Sequence, residues 1–291
     1  MTSKVASAKD GVLFRPSALW TPDYLAYFSA WFEHGPFAFW LTDVLRPRCF
    51  VELGTHAGYS YFCFCQAVQR LHLGTSCYAI DTWTGDEHIG LYGEDVFRAV
   101  TNHNQLYAGF STLIRSTFDD ALSYFPGKSI DLLHIDGRHF YEDVRHDFES
   151  WRGKLTDDAI ILFHDTNVCE RQFGVWRLLE ELKQNHATFE FMHGHGLGVV
   201  ALNKIPPVLK PLLAADVAAT DEWRQTFATL GGAVTQKWQA YFTHVQLQEQ
   251  VASPCRSMAK AKTCATGSTS RIMRAPWPSF YSVVELAAAT M

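Results

Sequence analysis

The sequence has no run of lysine and arginine, and acids outnumber bases 30 to 25 for a formal net charge of −5. Binding to a phosphate backbone depends on clustered cations that displace counterions, so a nucleic-acid partner is not expected. No apolar run approaches the roughly 20 residues of a membrane-spanning helix, and residues 1–14 lack the apolar stretch of a secretion signal. The seven cysteines are scattered without a CxxC, and the nearest pair, Cys63 and Cys65, lies inside an apolar stretch. Disulfide frameworks and zinc ribbons need paired spacings, so reduced thiols in a cytoplasmic protein are expected. Also missing is G-x-G-x-x-G, the spacing that seats a dinucleotide pyrophosphate at a strand-to-helix turn.

What is present is a large apolar fraction, 47% of 291 residues, enough for one α/β domain with additional helices. Residues 1–47 read as an N-terminal helical cap, with Thr21-Pro22-Asp23 as a helix start and Gly35-Pro36 as a break before a second helix over 37–45. Residues 48–204 alternate short apolar strands with helical segments. Strands are expected at 49–53, 76–80, 113–115, 130–135 and 159–163, with helices at 59–71, 118–125, 141–151 and 173–183. Such alternation implies a mostly parallel sheet covered on both faces. Residues 188–192 and 198–202, joined by His193-Gly194-His195-Gly196, read as a closing antiparallel hairpin. The insert 83–107 is long enough for a rim loop, a lid, or a helix on the flank. Residues 205–252 are expected to form one or two amphipathic helices that could join copies of the chain, and 253–291 a poorly ordered tail.

Four acids, Glu52, Asp81, Asp136 and Asp165, fall at or near the carboxyl ends of successive expected strands. Ligands bind beyond those ends in an open parallel sheet. Any one acid could be only a helix or turn cap, but four at one rim suggest a site, because burying charge without a purpose is costly. Gly54 allows a tight turn off the first strand, and Gly58 lets a helix begin close to a ligand. An acid two residues before the first glycine suits an amino-bearing ligand, and Asp81 could accept both hydroxyls of a ribose.

With these residues in place, the sequence resembles the class I S-adenosylmethionine (SAM) dependent methyltransferases. Within them it is similar to the small-molecule O-methyltransferase branch known as methyltransferase domain family 24. The resemblance spans residues 50–202. It is carried by Glu52-Leu53-Gly54-Thr55-His56-Ala57-Gly58-Tyr59-Ser60, by Ala79-Ile80-Asp81-Thr82-Trp83, by Leu133-His134-Ile135-Asp136-Gly137-Arg138-His139, and by Leu162-Phe163-His164-Asp165-Thr166. It implies a Rossmann-like fold and SAM as cofactor. The 52–60 loop would take the amino-acid portion, Asp81 with Thr82 and Trp83 the ribose, and Ser116, Thr117 and Phe118 the adenine side. It also implies Mg²⁺ held by Asp136 and Asp165, and His139 as general base. His164, by its position, reads as a group that stacks or hydrogen-bonds behind the metal ligands or as a further ligand. The acceptor would be a hydroxyl of a sugar, glycan or other polar small molecule. One departure stands out: where catechol enzymes follow the second aspartate with asparagine, and several sugar enzymes pair two acids, this chain has His164 and Thr166. Two other classes share the architecture. An NAD-linked oxidoreductase is disfavoured by the missing glycine fingerprint, and a non-catalytic interaction module would bind no SAM.

Overall fold

A computed structural model describes residues 15–25, 29–86 and 90–252. The tail 253–291, residues 26–28 of the first expected helix and residues 87–89 of the insert lie outside the described residues. The chain divides into two compact units, residues 1–234 and 235–291.

The first unit is built on a seven-stranded sheet. Its strands are β1 (Cys49–Leu53), β2 (Ser76–Asp81), β5 (Ser111–Arg115), β6 (Ile130–Ile135), β7 (Leu155–His164), β8 (Ala187–Phe191) and β9 (Leu197–Ala201). They run in the order β5-β2-β1-β6-β7-β9-β8. The first five are mutually parallel, and β9 and β8 close the edge as the expected antiparallel hairpin. Parallel neighbours cannot be joined by tight turns, so helices make the crossovers. Tyr59–Arg70 links β1 to β2, and Tyr141–Trp151 links β6 to β7. The fold is the Rossmann-like one expected, a mostly parallel sheet with helices.

Burial on both faces explains the near-continuous apolar runs in β1 and β6. On one face Val51, Leu133, Ile135, Ile161 and Phe163 pack with Trp151 and Leu179. The opposite face is aromatic. The Phe50 and Phe64 rings lie 4.4 Å apart, and Trp31 reaches Phe64 at 5.9 Å. The helix Gly35–Leu45 is buried along nearly all its length, with Phe37, Phe39 and Trp40 at 0% exposure. It is covered in turn by the start of the long helix Val217–Ala252, where Trp40 meets Trp223 at 5.0 Å and Phe37 meets Phe227 at 5.4 Å. Gly231 makes this close fit possible, since a Cβ there would stand 2.2 Å from the carbonyl oxygen of Glu33. Within the second unit, Trp238 and Phe242 stack at 5.1 Å. Among the described residues, no helix is long and apolar enough to cross a membrane.

The described residues of the first expected helix, 21–25 and 29–31, form no helix. Three further local features differ from the sequence reading. Strand β7 starts at Leu155 rather than 159, because a register shift between Ile130 and Leu132 carries the exposed polar stretch Thr156-Asp157-Asp158 along the edge of the ladder. The insert contains a two-residue hairpin, β3 (Gly85–Asp86) with β4 (Gly90–Leu91), before its helix Glu94–Asn104. The segment 118–125 is a single α turn, Phe118–Ala121, followed by a 3-10 turn.

The most constrained backbone position is Gly54, where β1 ends. Its φ is +88°, and an added Cβ would lie 2.1 Å from the carbonyl oxygen of Asp136 at the end of β6. Gly54→Ala should therefore cost about 1–3 kcal/mol or more of stability. Urea unfolding checks this, and an unchanged midpoint would mean that the two strand ends do not touch.

Candidate functional site

A cavity of about 550 Å³ opens at the carboxyl ends of β1, β2, β6 and β7. This is the rim where an open parallel sheet takes its ligands. It has two chemically different ends.

The first end is made by the turn after β1. Gly54 and Gly58 both hold positive φ, +88° and +84°, and the Gly58 amide donates to the Thr55 carbonyl at 2.8 Å. The helix Tyr59–Arg70 starts at once, so its amino end faces the cavity. Asp81, at the tip of β2, is held by two backbone amides. Its Oδ2 accepts from His56 at 2.8 Å and its Oδ1 from Trp83 at 2.7 Å. Burial raises the Asp81 pKa, and those amides oppose the rise. The Thr55 amide and the Tyr92 hydroxyl also hydrogen-bond to this carboxylate. Thr55, His56, Tyr59, Ser60, Thr82, Thr117 and Phe118 also line this end.

Three expected lining residues stand elsewhere. Trp83 is buried behind the loop, with its indole N–H donating to the His56 carbonyl at 2.9 Å and its ring against Phe97 at 4.7 Å. Ser116 does not line the cavity, and its amide donates to the Asp81 carbonyl at 3.0 Å. Glu52 lies wholly buried inside β1, directly across from His134 of β6. His134 Nδ1 is 2.8 Å from Glu52 Oε2, while His134 Nε2 faces the indole N–H of Trp31 at 3.2 Å. An indole can only donate, so His134 Nε2 accepts and the ring proton sits on Nδ1, pointing at the carboxylate. Burial raises the Glu52 pKa, and His134 opposes it. The sequence reading missed both His134 and Trp31. The available signal for His134 was a lone polar residue in an apolar strand, and only the β1–β6 register reveals its partner.

The second end gathers Asp136, His139, His164, Asp165 and His195. The parallel pairing of β6 with β7 puts Asp136 and Asp165, each one residue past its strand, side by side. Asp165 takes a left-handed conformation, φ +59°, unusual for a residue with a side chain. His139 Nε2 lies 2.9 Å from Asp165 Oδ2 and 3.7 Å from Asp136 Oδ1. Its ring stacks on Phe173 at 4.5 Å and 11°. His164 Nδ1 is 3.2 Å from Asp136 Oδ1 and 3.4 Å from Asp165 Oδ2, while its Nε2 is 3.0 Å from the Gly194 carbonyl. The exposed His195 adds Nδ1 at 3.1 Å from Asp165 Oδ1. Its neighbour His193 does not line the cavity and packs beside buried His34 at 4.8 Å.

Burial alone would lower the His139 pKa, but Asp136 and Asp165 outweigh it and push it up to about 9. Burial likewise opposes ionisation of Asp136 and Asp165, yet the surrounding imidazoles hold both below the ordinary carboxylate range. With both carboxylates free, His139 keeps a proton below about pH 9. It could act as a base near neutrality only where another cation occupied the carboxylates.

Mg²⁺, which the resemblance implies, prefers an octahedron of oxygens. Among the described residues the group within reach of one ion is Asp136, His139 and Asp165, and His164 adds a second imidazole nitrogen beside the same oxygens. The third acid or amide of the family pattern is replaced by His164 and Thr166. This donor set does not fit Mg²⁺.

The insert contributes Gly85, Asp86 and Tyr92 to the wall, while its helix Glu94–Asn104 packs on the flank. The N-terminal segment adds Ser29, Ala30 and Trp31. Nothing in the local sequence around these residues marked them, because they reach the cavity only through the tertiary fold.

Residues 51–166 match the family model described as "Methyltransferase domain". The protein y4gI of Sinorhizobium fredii is 52% identical over 192 residues, which are 66% of this chain and 21% of that protein. The chain thus spans about a fifth of the length of this curated relative. Among solved structures, a methyltransferase from Geobacter sulfurreducens is 15% identical, with 59% of this chain and 80% of that one covered and a TM-score of 0.45. The O-methyltransferase TomG from Streptomyces achromogenes, solved with SAM, is 13% identical over 59% of this chain and 80% of its own, with a TM-score of 0.45. Residues 51–166 carry the match to the methyltransferase domain family.

Proposed function

We propose that this chain transfers a methyl group from SAM to a hydroxyl oxygen of a polar small molecule, with sugars and glycans as the favoured acceptors. The observation that carries this reading is that one cavity joins the Gly54–Gly58 turn and Asp81 to the Asp136–His139–Asp165 cluster. One end suits a nucleoside with a charged amino-acid tail, and the other suits a hydroxyl group. A purely apolar acceptor would bring no polar group to the carboxylates and imidazoles that line this end.

SAM supplies an electrophilic methyl group, so the protein has to hold two reactants in line and manage one proton. Asp81 accepts the ribose hydroxyls at the tip of β2, where it lines the cavity. Gly54 and Gly58 let the main chain approach the amino-acid portion without a Cβ in the way. Glu52 acts from beneath this loop, fixed by His134, rather than as part of the wall. At the other end Asp136 and Asp165 receive the acceptor hydroxyl and set its oxygen facing the methyl group. Fixing that geometry supplies much of the rate enhancement of such a transfer. His139, between the two carboxylates, orients the acceptor and would take its proton when a cation neutralises them.

Calorimetric titration with S-adenosylhomocysteine (SAH) should give binding in the micromolar range, about −8 kcal/mol. Asp81→Ala should weaken it at least tenfold, roughly 1.4 kcal/mol. A wild-type protein that binds no SAH would remove the methyl-transfer reading and leave an interaction module. In a screen of glycosides and catechols, Asp136→Ala should lose turnover while SAH still binds. His139→Ala should lower turnover by roughly a hundredfold or more. Full activity in Asp136→Ala would sink the acceptor assignment.

A further inference from the structure

Besides its carboxylates and imidazoles, the cavity wall carries two arginines, Arg138 and Arg171. Arg138 precedes His139 in the turn after β6. Arg171 lies in the connection from β7 to the helix Val175–Lys183. A neutral sugar hydroxyl needs only hydrogen-bond partners, which the acceptor end already supplies. A guanidinium adds something else, a planar fork of N–H donors that matches two oxygens of a carboxylate or phosphate.

The chain around Arg171 follows an unusual course. Arg171 and Gln172 both adopt left-handed backbone conformations, with φ of +52° and +62°. Residues with side chains rarely do this in succession, and such a stretch persists only where its surroundings impose it. Here the surroundings are the site itself. The Phe173 amide donates to the Glu170 carbonyl at 3.0 Å, and the Gly174 amide to the His139 carbonyl at 2.7 Å. Gly174 has no room for a side chain, since a Cβ there would stand 2.4 Å from Tyr141 Cβ. Phe173 stacks on His139 at 4.5 Å, and the Arg171 guanidinium carbon lies 5.7 Å from the centre of the same phenyl ring. One ring thus positions both the imidazole between the two carboxylates and an arginine of the cavity wall.

Arg138 is oriented differently. Its Nε is 3.5 Å from Asp143 Oδ2 on the following helix, and its guanidinium carbon is 5.7 Å from the Phe140 ring. Asp136 and Asp165 would repel an anion placed directly on them, but histidines stand against both. Arg171 stands one aromatic ring away from them. An anion held there would sit apart from the hydroxyl to be methylated, elsewhere on the same sugar or on its neighbour.

We propose that the acceptor is an anionic sugar whose carboxylate or phosphate is taken up by Arg171, with Arg138 as a second cation of the same wall. This rests on the methyl-transfer reading and narrows it from polar acceptors in general to those that carry an oxyanion. Arg171 sets specificity and takes no part in the transfer itself.

The test is calorimetric titration of the full chain, with and without saturating SAH, using three probes. Methyl glucuronide offers a carboxylate, glucose 6-phosphate offers a phosphate, and methyl glucoside is neutral. At least one anionic probe should bind roughly tenfold or more tightly than the glucoside, and the tighter of the two identifies the oxyanion. Arg171→Gln, at an exposed position, should abolish that preference while leaving SAH affinity unchanged. Arg138→Gln should reduce it by less, because Asp143 already answers part of that charge. No preference for an anionic probe, including no binding of any probe, would overturn the proposal, as would a preference that survives Arg171→Gln. An equal loss of SAH affinity in Arg171→Gln would also overturn it, by assigning the arginine to the cofactor's own carboxylate. The two readings fail separately. An Arg171-dependent anion preference in a chain that binds no SAH would keep the arginine site and remove methyl transfer. SAH binding without an anion preference would keep methyl transfer and remove the anionic acceptor.

Discussion

The pairing of β6 with β1 on one side and β7 on the other decides where every charged group at this rim goes. Asp136 closes β6, and its amide donates to the Leu53 carbonyl at the end of β1. Its own carbonyl sits where a side chain on Gly54 would be. Across the other edge, the β6–β7 register carries Asp165 alongside Asp136. One strand thereby joins the glycine turn of a cofactor loop to a pair of carboxylates. A slip of either ladder by one residue would send these side chains to the wrong face.

Holding so many ionisable groups in a small buried volume has an energetic consequence. A buried carboxylate without partners costs several kcal/mol, and here each has imidazole neighbours within hydrogen-bonding reach. Removing one member of such a cluster strands the rest, so the site and the stability of the rim are linked. The Glu52–His134–Trp31 chain works the same way under the cofactor loop, as a buried acid made tolerable by a neutral histidine whose tautomer an indole fixes. These two networks lie on neighbouring elements, and the Trp31 ring reaches His134 at 5.0 Å and His164 at 6.1 Å.

Much of this fold is legible in the sequence because local and global signals agree. The runs at β1 and β6, the turn at Gly54, and the helices Tyr59–Arg70 and Tyr141–Trp151 appear where periodicity and punctuation place them. Asp81, Asp136, His139 and Asp165 could be picked out because an acid at a strand end is chemically conspicuous. Hidden from the sequence is whatever depends on register or on distant chain. Glu52 reads as a lining residue until its neighbour His134 is known, and Trp83 reads so until its indole is seen to turn back onto the loop. Trp31, Tyr92 and Phe173 come to the cavity from segments far apart in sequence. His164 reads as one residue beside an aspartate, and only the Gly194 carbonyl fixes which of its nitrogens faces the acids.

The central claim is that one cavity holds the methyl donor at its Asp81 end and the acceptor oxygen at its Asp136–Asp165 end. A crystal structure of the chain with SAH tests it most directly. The account predicts the ribose hydroxyls on Asp81, the amino-acid portion on the Gly54–Gly58 turn, and the sulfur directed at the space between Asp136 and Asp165. SAH bound with its sulfur turned away from those carboxylates, or outside this cavity, would contradict it.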